Sequence, residues 1–90
     1  MLTKQKFDSY TWNIRLYVTL NLGKCIDTRL ENNQYRISLY HLKDFYVEIY
    51  HNIRRNHIER AESVTEDFVL NKYVDMKELR ELIFPLKTIF

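Results

Sequence analysis

Three histidines, His41, His51 and His57, and one cysteine, Cys25, are the residues of this 90-residue chain that could ligate a metal or pair as nucleophile and base. Their spacing argues against both. If His41 faces Phe45 across a hairpin, His51 lies further along the same strand, roughly 20 Å away at about 3.3 Å per residue, too far to share one ion. His57 points opposite to His51. Cys25 has Tyr40 as its neighbour and no histidine on its local face, so a Cys–His pair is unsupported. A single glycine leaves no glycine-rich loop to cradle a phosphate. The sequence therefore predicts no catalytic residue, no metal ligand, no cofactor and no enzyme.

The other chemistry available is recognition of an anion. Alternation along the chain predicts a row of Arg15, Arg29 and Arg36 on neighbouring strands, with Tyr40, Tyr46, Tyr50 and Tyr17 nearby. Arginines and aromatic rings on one sheet face are the means of holding single-stranded RNA or DNA. Asp27, Glu48 and Glu59 fall within diagonal reach of the same row, which makes a solvated, self-neutralised face the blander and favoured reading. The glycine-and-aromatic signature of the common RNA-binding sheets is missing. The basic stretch "HNIRRNH" reads as a hairpin tip.

The elements that would position these residues are strands. "CIDTRL", "YRISLYH" and "FYVEIYH" alternate apolar and polar residues, and "HIERAESV" does so more weakly. Between them lie Glu31 to Gln34, Lys43-Asp44 and Asn52 to Asn56, all turn formers. Short strands with short polar turns predict an antiparallel meander of four to five strands over residues 11–64. Requiring all apolar side chains to share one face fixes the register. That rule rejects a two-residue turn at Lys43-Asp44 in favour of Leu42 to Asp44, pairing Leu39 with Val47 and Ile37 with Ile49, and it pairs Leu30 with Tyr35 and Ile26 with Leu39. A bulge after Ile58 is needed to turn Ala61, in place of Arg60, toward the core. Residues 11–22, "TWNIRLYVTLNL", alternate as a first strand, which is the favoured reading. As a helix, with Ser9 or Asp8 as N-cap and Gly23 as C-cap, they would be apolar around most of the circumference and would need burial on two sides. Thr65 caps a C-terminal helix over residues 66–84. Asp75 and Glu78 resemble a capping box in it, and Met76, Leu79 and Ile83 give it an apolar stripe covering one sheet face.

Ninety residues make one domain, here 1–90. Hydrophobic residues are 46% of the chain and charged residues 29%, a globular rather than disordered balance. The net charge of +2 permits an anionic partner without implying one. A lone cysteine and an N-terminus without a signal-like apolar run predict a reducing, cytoplasmic setting, and no stretch is long enough for a membrane span. Leu86, Ile89 and Phe90 are apolar near the C-terminal end, and Leu2 and Phe7 near the other. Such residues either fold back on the core or meet another chain. The functional expectation is a binding domain that takes a protein partner or a second copy of itself, with Leu86, Ile89 and Phe90 as the self-association residues. Nucleic-acid binding through Arg15, Arg29, Arg36, Tyr40, Tyr46 and Tyr50 is the alternative.

Overall fold

The computed structural model describes residues 2–73. Its elements in chain order are α1 (Lys4–Asp8), α2 (Trp12–Leu22), β1 (Lys24–Glu31), β2 (Tyr35–Leu42), β3 (Phe45–Asn52), β4 (His57–Val64) and α3 (Glu66–Lys72). The four strands form one antiparallel sheet in sequence order, the meander that the alternation predicted.

Residues 12–22 are helix, not strand. As a strand they would have extended the sheet and left its β2–β3 surface bare. As a helix, with α1, they cover it. Phe7, Leu42, Phe45, Val47, Ile49 and Ala61 form the core there, with Leu2, Leu16 and Val18 packed against them. The Phe7 and Phe45 rings lie 5.4 Å apart. Leu2 and Phe7 thus fold back on the core. Thr11 occupies the N-cap of α2, and Gly23 its C-cap, donating its N–H to the Thr19 carbonyl at 2.8 Å. Gly23 is extended, not left-handed; it is needed for space, because a Cβ there would stand 2.7 Å from the Thr19 oxygen and 2.8 Å from Leu42 Cδ1.

The other sheet face is covered by α3. Leu39, Tyr46, Val69 and Tyr73 are buried together there, with Ile26 and Val64 alongside. The hydroxyl of Thr65 accepts from the Phe68 N–H, as a capping threonine should. Asp75, Glu78, Met76, Leu79 and Ile83 lie outside the described residues.

Burial of both faces overturns the predicted registers. The β2–β3 hairpin has the two-residue turn Lys43-Asp44, with Leu42 opposite Phe45, Leu39 opposite Glu48 and Ile37 opposite Tyr50. The rule that apolar side chains must share one face fails for a strand covered twice, and β3 is buried without interruption from Phe45 to Tyr50. In the β1–β2 hairpin Glu31, not Leu30, pairs with Tyr35, so most of β1 is shifted by one residue from the expectation, and an irregularity between Cys25 and Asp27 then restores the expected Cys25–Tyr40 pair. Asn32 and Asn33 turn the chain there at φ of 53° and 51°. The expected bulge after Ile58 is present: Ile58 pairs with His51, Arg60 with Tyr50, and Ala61 lies opposite Ile49, fully buried.

Candidate interaction surface

α2 is the element with the most unusual surface. Its inner side carries Arg15, Leu16, Val18 and Thr19. Thr19 is buried and donates its hydroxyl to the Arg15 carbonyl at 2.7 Å. The Arg15 guanidinium lies between the helix and the rest of the fold, donating through Nη2 to the Asp8 carbonyl at 2.7 Å and through Nη1 to the Ala61 carbonyl at 3.4 Å. Its Nε is buried without a partner among the described residues. Arg15 is the single charged residue of the helix, so the outward side has no charge. That side instead exposes Ile14 (45%), Tyr17 (67%) and Leu20 (54%), and at the two ends of the helix Trp12 (49%) and Leu22 (67%) are exposed as well. Sequence reasoning missed this surface because it read the segment as a strand; the signal was the apolar circumference that made the helix look too expensive to bury.

Beside α2 a groove of about 630 Å³ runs over the sheet. Trp12 and Leu20 form one wall, Ser38, Tyr40 and Ile49 lie across from them, and Arg36, His51 and His57 bring positive or titratable groups.

The six residues of the predicted anion-binding row are not brought together. Arg29 lies opposite Ile37, and Ile37 opposite Tyr50, on the α3 side with Tyr46. Arg36 lies opposite Leu30 and His51, on the α2 side with Tyr40. Arg15 is on the helix. The physical reason is the one-residue shift in each hairpin, which moves alternate side chains to the opposite face.

Arg29 instead belongs to a buried polar network. Glu48 is 1% exposed at the centre of the sheet. Its Oε2 accepts from Tyr73 Oη at 2.6 Å and from Arg29 Nε at 3.1 Å, and its Oε1 accepts from Tyr50 Oη at 3.1 Å. Arg29 Nη1 also donates to Glu31 at 2.7 Å. Burial works against the Arg29 charge, but the hydrogen bonds to Glu48 and Glu31 outweigh it and hold the guanidinium above its ordinary range. Burial, then the hydrogen bond to Glu48, pushes the Tyr73 phenol above its own. Arg60 lies over the Tyr50 ring at 3.9 Å. A carboxylate with this many donors is satisfied, and the cluster ties β1, β3 and α3 together.

The histidines stay apart. His41 stacks on Tyr46 at 4.8 Å, His51 Nε2 is 3.2 Å from Asn56 Oδ1, and His57 Nε2 is 3.5 Å from Glu59. Cys25 is exposed and free. No group of three or more metal-ligating side chains occurs among the described residues, and none of their helices is long and apolar enough to cross a membrane. Leu86, Ile89 and Phe90 lie outside the described residues. In comparison with known proteins, the chain matches no family model, no curated protein and no solved structure.

Proposed function

We propose that the protein is a small, non-enzymatic domain that works by binding another protein, with the outward side of α2 as its contact surface. One observation carries this reading: Ile14, Tyr17 and Leu20 stand exposed together on the outward side of one eleven-residue helix whose charge is turned inward. Contiguous apolar patches of more than a few hundred Å² are uncommon on proteins that stay alone, and they mark interaction surfaces. A charge-poor apolar centre built round a tyrosine is also the composition of interface cores. Such binding is apolar and depends weakly on salt. The exposed Cys25 thiol fits a reducing, cytoplasmic setting.

The test is to place a photo-cross-linking phenylalanine analogue at position 17 of the full chain and irradiate it in its native cell. Capture of a defined protein through position 17, absent when the analogue is placed at the exposed Lys43 turn, is the expected result. No adduct at position 17 overturns the reading.

A second reading, single-stranded nucleic acid, is supported by Arg36, which has no acidic partner among the described residues and lies in the groove with Trp12, Tyr40 and His51. It requires affinity that falls steeply with salt, because phosphate contacts release counterions. Absence of RNA and single-stranded DNA binding at low salt removes it.

A further inference from the structure

The outward stripe of α2 is self-complementary. Asn13, Ile14, Tyr17, Leu20 and Asn21 stand at −4, −3, 0, +3 and +4 relative to Tyr17. At 3.6 residues per turn these five share the side of the helix that faces away from Leu16 and Thr19. Read in either direction, the stripe is amide, aliphatic, aromatic, aliphatic, amide. An isologous contact needs this property, since every residue i that meets j on the partner must also be met as j.

We infer that the occupant of this face is a second copy of the chain, paired α2 to α2 in antiparallel order about a two-fold axis passing beside Tyr17. The inference rests on the protein-binding reading above and adds the identity of the partner. In this arrangement Tyr17 meets Tyr17 of the other copy. The layer on either side holds Asn13 and Ile14 of one copy with Leu20 and Asn21 of the other.

The amides are prepared for it. Asn13 Oδ1 accepts from the Thr11 hydroxyl at 2.5 Å, which leaves the Asn13 NH₂ without a partner among the described residues. Asn21 Nδ2 donates to the Tyr17 carbonyl at 2.7 Å, which leaves Asn21 Oδ1 without one among them. Antiparallel pairing brings the free donor of one copy to the layer of the free acceptor of the other, at both ends. Parallel pairing would set donor beside donor and acceptor beside acceptor. Antiparallel order also opposes the two helix dipoles. Because the outward side has no charge, the two-fold axis brings no like charges together.

The area suits a weak dimer. At about 200 Å² for a whole large side chain, the exposed parts of Ile14, Tyr17 and Leu20 amount to on the order of 330 Å². With the two amides this stays below the roughly 800 Å² that each partner contributes to a standard interface, so pairing is expected toward high micromolar concentration.

Sedimentation equilibrium of the full chain, from low to high micromolar concentration, is the test. A dimer is expected. Tyr17→Glu places two carboxylates on the axis and is expected to give a monomer, with the circular dichroism of the parent because Tyr17 contributes nothing to the core. Two double variants then read the direction of pairing. N13E/N21E puts acid beside acid in both layers and is expected to weaken the dimer by about tenfold or more. N13K/N21E puts Lys beside Glu in both layers and is expected to hold the parent affinity. A parent chain that is monomeric at high micromolar concentration, a Tyr17→Glu chain that remains dimeric, or equal weakening in both double variants overturns the inference. The position-17 cross-link separates the two failures: an adduct with a different protein overturns only the second-copy assignment, and no adduct overturns the protein-binding reading as well.

Discussion

Tyr73, just past the end of α3, donates a 2.6 Å hydrogen bond to Glu48 at the centre of the sheet. That single contact links the helix to β3, and through Arg29 to β1. A hydrogen bond to a charged group contributes about 1.5–3 kcal/mol. Tyr73→Phe keeps the ring and removes the donor, so it is expected to lower unfolding stability by about that amount in urea titration. A loss below about 0.5 kcal/mol, the scatter of ordinary surface changes, would mean that α3 is held by its apolar contacts alone.

Glu48 also shows where sequence reading runs out. A glutamate between Val47 and Ile49 looks like the solvent side of a half-buried strand, and Tyr46 and Tyr50 look the same. All three are buried because α3 covers that face while α1 and α2 cover the other. The clue was the density of large side chains in "FYVEIY", a near-continuous run typical of a strand covered on both sides. What was legible depended on local chemistry: the four strands, the Thr65 cap, the Gly23 stop if the segment was helical, and the bulge that places Ala61 against Ile49. What was not legible depended on a second covering layer. That layer set both hairpin registers, divided the arginine row, and turned residues 12–22 into a helix with an uncovered apolar side.

The rejected two-residue turn gives its own prediction. Lys43 sits at φ 30°, on the positive side where a lysine is strained and asparagine or glycine is at ease. Lys43→Asn is expected to stabilise the protein by about 0.5–1 kcal/mol, since the unfavourable backbone cost for a residue with a plain Cβ is about 1–2 kcal/mol. The thermal midpoint should rise. A fall would show that the Lys43 side chain contributes more than its backbone costs.

Gly23 should resist substitution for a different reason. Its backbone suits any residue, but a methyl group would press on the Thr19 oxygen, which already accepts the capping N–H, and on Leu42 in the core. Gly23→Ala is expected to cost about 1–3 kcal/mol, the usual range for overpacking. Denaturant titration would measure it. An unchanged midpoint would mean that the α2–β1 junction can open without loss.

Acid should destabilise the fold through Glu59 and Glu31. Asn52 and Tyr35 donate to Glu59, at 2.8 and 2.9 Å, and hold its carboxyl below the usual range. The hydrogen bond from Arg29 does the same for Glu31. Both folded-state values lie below the unfolded ones, so their contribution is full above the ordinary carboxylate pKa and is lost as pH falls through the depressed values. The denaturation midpoint is expected to decline from about pH 4.5 downward, and N52A/Y35F, which frees Glu59, should make the decline shallower. A midpoint independent of pH in that window would remove both carboxylates from the stability account.

The three arginines once aligned in a single row now make the sharpest contrast. Repulsion along that row would let alanine at any of the three raise stability. The structure separates them. Arg29→Ala leaves the buried Glu48 without its counter-charge, which is expected to cost about 3 kcal/mol or more. Arg15→Ala removes one good and one long hydrogen bond to carbonyl groups, at 2.7 and 3.4 Å, and also the unpartnered Nε, so a loss of about 1 kcal/mol is expected. Arg36 is exposed at the groove and has no acidic partner among the described residues; Arg36→Ala should stay within about 0.5 kcal/mol of the parent. Urea titration of the three variants tests the order Arg29, Arg15, Arg36. Equal effects, or a gain at Arg29, would restore the row of like charges and the anion-binding face with it. With the predicted order, Arg36 is the arginine that can be removed to test nucleic-acid binding without disturbing the fold, and loss of RNA affinity in that variant alone would identify the groove beside Trp12 as the place where RNA is held.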